Sequence, residues 1–185
     1  MRVTVLDGWG ADNAPMKVLL EEEMKERAWQ VDSFVLRNTK VGGCMGCFGC
    51  WVKTPGICVI NDAGRDIARL VIRSDLLLLV TPVTFGGYSS ELKKAVDRLI
   101  PLNSPFFKKI SGEIHHKPRY GRYPSLLAIG SLPDRDEENE QIFRTLVKQN
   151  AINFHSPAFA AGFLYGTQTP QEMRETIHTL LSEGR

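Results

Sequence analysis

The chain has 185 residues, of which 43% are hydrophobic and 24% charged, and a formal net charge of +2. That length suits a single domain, residues 1–185, with a full hydrophobic core, and the near-balanced charge gives no reason to expect nucleic acid or a membrane surface as partner. The longest apolar run, Leu76 to Val80, is too short to span a bilayer, and the opening MRVTVLDGWG lacks the pattern of an export signal, so a cytoplasmic location is expected.

Val3 to Leu6 reads as a strand. Pro15 suits the first turn of a helix, which VLLEEEMKER from Val18 continues with apolar residues on one face. Val31 to Leu36 reads as a second strand, leading into the cysteine-bearing segment 43–58. Asp62 is a good N-cap for a helix through Ile72, with Ile67, Leu70 and Val71 facing inward. Leu76 to Val80 is a continuous apolar run, as expected of a strand covered on both sheet faces. Ser89 or Ser90 then caps ELKKAVDRLI. The Asp97–Arg98 pair at the end of that helix reads as a packing or ion-pair feature.

Residues 101–124 fit neither the helix nor the strand period. A loop of that length inside a compact domain is usually a lid, a partner arm or a cofactor cover. It carries Lys108, Lys109, His115, His116, Lys117, Arg119 and Arg122, read as solvated basic residues, beside Phe106 and Phe107. Leu126 to Ile129 reads as a fourth strand, and Glu137 to Gln149 as a helix whose acidic first turn complements its dipole. Phe159 to Phe163 is a fifth strand, and Thr169 caps a last helix; His155 and His178 read as structural.

Strands and helices alternating in this way predict an α/β architecture: a doubly wound, five-stranded parallel sheet with helices on both faces. Such sheets bind ligands beyond the carboxyl ends of their strands, near the point where strand order switches. Asp7 to Pro15, Thr81 to Ser90 and Gly130 to Asp136 lie there, and the cysteine segment could share that end.

All four cysteines, Cys44, Cys47, Cys50 and Cys58, fall within fifteen residues, with the spacing C-x2-C-x2-C-x7-C. Four converging sulfurs can hold an iron–sulfur cluster or a zinc ion, or carry thiol–disulfide chemistry. No histidine stands at ligand spacing to them. A reducing compartment favours the metal or redox roles over structural disulfides.

TPVTFGGYSSELKKAVDR resembles the segment after the third strand of flavodoxin-like FMN reductases and iron–sulfur flavoproteins, and the cysteine run followed by CVINDAGRDIARLVIRSDLLLLV is similar to the same family's cluster loop, helix and third strand. The resemblance implies a flavodoxin-like fold. It places Pro82, Val83, Thr84, Phe85 and Gly86 along the FMN ring system, with Gly130 and Ser131 flanking its other side. A glycine-rich turn after a strand suits this, because backbone N–H groups there can approach a flat ring closely. The resemblance also implies that Cys44, Cys47, Cys50 and Cys58 hold a 4Fe–4S cluster. Gly46, Gly49 and Gly56 allow the tight backbone such a site needs.

The first loop, DGWGADNAP, departs from the family pattern, which places hydroxyl side chains on the FMN phosphate. This loop has no hydroxyl, and Asp7 and Asp12 bring negative charge close to an anion site. Gly8, Trp9, Gly10 and Asn13 remain candidate phosphate contacts, through backbone N–H groups at a helix N-terminus and the Asn13 amide. Trp9 reads equally as a packed aromatic covering the loop. Thr84 stands where relatives usually carry Tyr, leaving space that His115, His116 or Tyr120 could fill.

The resemblance therefore implies an FMN-dependent oxidoreductase. It would take electrons from NAD(P)H or a ferredoxin-like donor and pass them to a quinone, a flavin or its own cluster. No catalytic protein side chain is required, and a homodimer or homotetramer is expected, with 101–124 as a candidate interface arm. The competing readings are a non-enzymatic zinc-binding module on the same scaffold and a thiol redox sensor.

Overall fold

A computed structural model describes residues 1–110 and 112–183. β1 (Arg2–Asp7) leads through a 3-10 turn into α1 (Ala14–Glu26), with Pro15 in its first turn. β2 (Gln30–Val35) leads into the cysteine loop, which holds a one-turn helix, α2 (Gly49–Val52). Then come α3 (Ala63–Val71), β3 (Leu76–Pro82) and α4 (Ser90–Asp97). β4 (Asn103–Ile110) and β5 (Glu113–Pro118) precede β6 (Ser125–Leu132), α5 (Glu137–Asn153), β7 (Phe159–Tyr165) and α6 (Pro170–Glu183).

The five long strands form one parallel sheet in the order β2-β1-β3-β6-β7. This is the flavodoxin-like doubly wound order, with its switch point between β1 and β3. Leu76 to Thr81 of β3 are all buried, as their unbroken apolar run requires at the centre of a sheet covered on both sides. One core layer lies under α3, α4 and α5 and includes Ile67, Leu92 and Phe143; the other lies under α1 and α6 and includes Met16, Leu20 and Ile177.

The helix starts follow local chemistry. The Asp62 carboxylate accepts from the Gly64 N–H at 3.0 Å and caps α3. Ser89 Oγ accepts from the Leu92 N–H at 3.4 Å and caps α4. At α6, Thr169 Oγ1 accepts from the Glu172 N–H at 3.3 Å, and the Glu172 carboxylate accepts from the Thr169 N–H at 2.7 Å, a reciprocal capping box.

Two elements differ from the sequence reading. The segment 101–124, expected to be loop, contains the antiparallel hairpin β4–β5. Its paired residues Phe106-Phe107, Lys108-Lys109 and His115-His116 hide the alternation that marks a strand. The ladder is also irregular between Asn103 and Phe107. The one-turn α2 is too short to leave a periodic signal. Among the described residues no helix is long and apolar enough to cross a membrane.

Candidate functional site

The loop after β1 and the loop after β3 meet at the switch point. Gly8 donates to the Val80 carbonyl at 2.8 Å. A Cβ on Gly8 would stand 2.9 Å from Ser89 Oγ and 3.1 Å from the Val80 oxygen, so only glycine fits this approach. Gly10, in contrast, faces open space, with nothing within 4 Å of where its Cβ would be.

The charge that the sequence set beside this loop is already matched. The buried Asp7 carboxylate takes Lys17 Nζ at 2.7 Å and the Trp9 N–H at 3.0 Å. Asp12 lies exposed in the 3-10 turn. The Trp9 ring, 2% exposed, is packed into the core layer under α1 and α6, and its backbone N–H and carbonyl are taken by Asp7 and Arg37. The Asn13 amide is engaged by Ser131 Oγ at 2.9 Å and the Met16 sulfur at 3.5 Å.

Two hydroxyls from elsewhere in the fold brace this loop. Ser89 Oγ donates to the Gly8 carbonyl at 3.3 Å, and Ser131 Oγ sits against Asn13. Sequence reasoning also missed Arg37. It follows β2, its guanidinium donates to the Trp9 carbonyl at 2.7 Å, and it is otherwise exposed, which puts a cation beside the loop. The signal available was its place just past the end of the strand next to β1.

After β3, the Val83 N–H donates to the Ser131 carbonyl at 2.9 Å. Thr84 and Gly87 exchange two backbone hydrogen bonds, 3.0 and 2.9 Å, around Phe85 and Gly86 at φ 49° and 70°. Two successive left-handed residues define a type I′ turn. It projects Phe85 into solvent at 96% exposure, while Gly86 presses against Ile142 of α5. Beneath it, Tyr88 stacks edge-on against Phe143, and burial pushes its phenol up to about 12 against the pull of the Asn150 hydrogen bond. Gly130 is buried in β6; a Cβ there would come within 2.5 Å of Val83 and 3.1 Å of Phe163. Pro82, Val83, Thr84, Phe85, Gly86, Gly130 and Ser131 thus stand around the paired ends of β3 and β6, beside the loop of Gly8, Trp9, Gly10 and Asn13.

The cysteines form a separate centre. Cys44, Cys47, Cys50 and Cys58 line one cavity of about 70 Å³, together with Arg98. All four thiols are free; Cys44 and Cys47 are exposed, Cys50 is buried and Cys58 half-buried. Burial raises the Cys50 thiol pKa, and the neighbouring Cys58, Cys44 and Cys47 add to the effect. The expected metal set Cys44, Cys47, Cys50 and Cys58 is not closed on an ion: among the described residues no three Cys, His, Asp or Glu side chains stand close enough to hold one. A tetrahedral zinc–thiolate site needs sulfurs about 2.3 Å from one point, closer than the four thiols stand here.

A buried clasp closes the cysteine loop. Arg98, 0% exposed, donates to both oxygens of Asp62 at 2.7 and 2.9 Å, to the Gly42 carbonyl at 2.8 Å and to the Ile60 carbonyl at 3.2 Å. Asp62 also accepts from the Gly42 N–H at 2.7 Å. Both ends of the loop are therefore held by one ion pair. Burial works to raise the Asp62 pKa, but the Arg98 hydrogen bonds, the Gly42 and Gly64 N–H groups and the Arg98 charge outweigh it and hold the carboxyl below its ordinary 3.8. The partner of Arg98 is thus Asp62, whereas Asp97, its neighbour in sequence, bonds Lys93.

The hairpin packs on this centre. Trp51 Nε1–H donates to the Asn103 carbonyl at 3.0 Å, and the rings of Phe48, Trp51, His116 and Phe107 follow one another at centroid spacings of 5.6, 4.8 and 4.5 Å. His115 and His116 are therefore not solvated basic residues, as the sequence suggested. His115 is buried, with Nδ1 2.8 Å from Asn153 Oδ1 and Nε2 3.0 Å from Glu113 Oε2, and His116 lies between two aromatic rings. The two centres are not merged: α4 runs between them, with Ser89 at the first loop and Arg98 at the cysteine loop.

Comparison with known proteins agrees with this architecture. Residues 15–121 match the family model of NADPH-dependent FMN reductases. The chain is 30% identical over 80 residues to an iron–sulfur flavoprotein of Archaeoglobus fulgidus, covering 43% of this chain and 36% of that one. It is 30% identical over 86 residues to an iron–sulfur flavoprotein of Methanosarcina thermophila, covering 46% and 44%. These matches span less than half the length of either relative. Among solved structures, the NAD(P)H:quinone oxidoreductase of Methanothermobacter marburgensis superposes with a TM-score of 0.65 at 13% identity, covering 100% of this chain and 96% of that one, a likeness of fold. With more than half its length matched by the family model, and with the sheet order and switch-point loops described above, the chain belongs to the NADPH-dependent FMN reductase family.

Proposed function

We propose that this chain is an FMN-dependent oxidoreductase that draws electrons from NAD(P)H, or from a ferredoxin-like protein donor, and delivers them to a small redox acceptor such as a quinone or a flavin. The observation that carries this reading is the pairing, at one switch point, of an open glycine loop at the start of α1 with a rigid type I′ turn after β3. The residues suit the group. Gly10 leaves space where a phosphate could approach backbone N–H groups, Arg37 brings a cation, and Asp7 is neutralised by Lys17. FMN, when bound, supplies the redox chemistry. The chain's part is to line the ring edge with Pro82 to Gly86 and to hold the phosphate. A homo-oligomer in the cytoplasm is part of the same proposal.

A 4Fe–4S cluster on Cys44, Cys47, Cys50 and Cys58 is a further part of it. The compact spacing and the single cavity that all four thiols line support it. A cubane distributes its four cysteine ligands over four irons and does not gather them at one point. The test is an anaerobic absorption spectrum of freshly purified protein, with iron and acid-labile sulfide assays on the same sample. Flavin bands with about four irons per chain are expected. Flavin bands without iron would remove the cluster and keep the reductase. A colourless protein that takes up no added FMN would sink the reading.

The phosphate assignment makes its own prediction. Arg37→Ala should weaken FMN binding about tenfold, the scale of one lost charge-assisted hydrogen bond. Riboflavin, which has no phosphate, should bind both proteins alike. Equal loss for both ligands in a fluorescence titration would show that Arg37 supports the loop and does not meet the phosphate.

A further inference from the structure

A groove of about 460 Å³ opens on the outer face of α3, beside the cysteine loop. Cys58 lines it and also lines the cysteine cavity, so the groove reaches the thiol centre from outside. Its middle is apolar: Ile57 is 55% exposed, Tyr120 is 38% exposed and Ile72 is half-buried. Its wall is basic. Arg65, Arg69 and Arg73 line it at four-residue intervals, which sets three cations in one row along α3 and the turn that ends it, about 12 Å long.

The three arginines differ in what they hold. Arg65 is structural: it donates to the carbonyls of Cys58 at 2.7 Å and Val59 at 3.1 Å and to the Asn61 side chain at 3.1 Å, and so ties the groove to the cysteine loop. Arg69 makes an exposed pair with Asp66 at 2.9 Å, which adds little to stability in water. Arg73 is exposed and meets no carboxylate among the described residues. The surrounding sequence is also one-sided in charge. From Arg37 to Arg73, the stretch that bears all four cysteines, the chain has six Lys and Arg residues against two Asp, and Asp62 is turned inward onto Arg98. The whole chain is near balance at +2, so the excess of cations is gathered in this segment.

We propose that this groove is the docking surface for an acidic electron-carrier protein. The proposal rests on the protein-donor arm of the reading above and gives it a place. Three cations spread over about 12 Å overreach a single small anion and match carboxylates spaced along a protein surface. Ile57 and Tyr120 supply an apolar middle with arginines beside it, the make-up of a protein interface. A partner seated here meets Cys58 and shares no residue with the loops at the switch point, which stay open to small ligands. The contact is small, as suits a carrier that must leave after each encounter.

An acidic 4Fe–4S ferredoxin is the probe, titrated into the purified chain by calorimetry, with basic cytochrome c as the control. The titration reads binding alone and needs no bound flavin, so its failure is distinguishable from that of the proposed function. The ferredoxin should bind with a Kd on the order of 10 μM in about 50 mM salt, and about tenfold more weakly in about 250 mM. Cytochrome c should not bind. The double variant Arg69→Gln, Arg73→Gln should weaken ferredoxin binding about tenfold and leave FMN uptake unchanged. The double variant Lys25→Gln, Lys148→Gln removes the same charge from exposed positions of α1 and α5 and should change binding by less than about twofold. Protein-observed NMR should place the largest shifts at Ile57 and Tyr120. Absence of binding, equal binding of cytochrome c, insensitivity to salt, equal losses in the two double variants, or shifts centred on Phe85 or Phe107 would each overturn the proposal. So would duplex DNA or anionic vesicles that bind more tightly than the ferredoxin through the same two arginines. Should the arginine double variant fail to fold, Arg73→Gln alone carries the test, with a loss of about threefold expected.

Discussion

Replacing Asp62 with alanine should cost about 3 to 5 kcal/mol of folding stability, the scale for stranding one partner of a buried ion pair. Arg98 would keep its charge with no carboxylate beside it in a site where it is 0% exposed. The same change removes the N-cap of α3 and the acceptor for the Gly42 N–H, so the entry and exit of the cysteine loop lose their common anchor. Denaturant unfolding measures the loss, and a drop below about 1 kcal/mol would show that the pair is not structural. The double variant Asp62→Ala, Arg98→Met should recover most of the deficit, because swapping a buried pair for apolar side chains is often near neutral. About 1 kcal/mol should remain lost with the cap. Acid should reproduce part of this effect. The folded Asp62 pKa lies below the ordinary 3.8, so its contribution is intact above that value and is lost as the pH falls through the lower, folded one. Asp62→Asn should flatten that part of the acid-unfolding profile.

Gly86→Val should be the most damaging single change in the turn after β3. The glycine sits at φ 70°, where a β-branched residue is strained by about 1 to 2 kcal/mol. A Cβ would also lie 2.5 Å from Ile142 Cγ2 and 2.6 Å from its Cβ, an overlap that costs a further 1 to 3 kcal/mol or so. A loss of about 3 kcal/mol is expected, together with loss of FMN uptake, since the Thr84–Gly87 pair cannot keep its geometry. Gly10→Ala is the contrast. It has no left-handed φ and open space around it, so thermal stability should hold while FMN affinity falls as the new methyl fills the cradle. Unchanged FMN uptake in Gly86→Val would detach this turn from the flavin.

The central strands were legible because Leu76 to Val80 and Leu126 to Ile129 are buried on both faces and need no alternation to announce themselves. The caps at Asp62, Ser89 and Thr169 were legible because capping chemistry is local. What escaped was the long-range pairing. Asp62 and Arg98 are 36 positions apart, and nothing in the sequence says that the carboxylate capping one helix also holds the guanidinium ending another. Ser89, Ser131 and Arg37 reach the first loop from three other segments, contacts that its own sequence does not announce. The hairpin escaped for the opposite reason: its doubled phenylalanines, lysines and histidines scramble the period-two pattern, and His115 is covered by α5 while His116 packs on the Trp51 ring, neither of which the local sequence mentions.

The short helix α4 acts as a ruler. Its eight residues rise about 12 Å, with the Ser89 end fastened to the Gly8 carbonyl and the Arg98 end fastened to the cysteine loop. Whatever occupies the two centres, their spacing is fixed by a rod pinned at both ends and not by a hinge. Inserting one helical turn would stretch that spacing by about 5.4 Å or tear out one of the pins. The length of α4 is thus a property of the pair of sites, and neither can be moved without the other registering it.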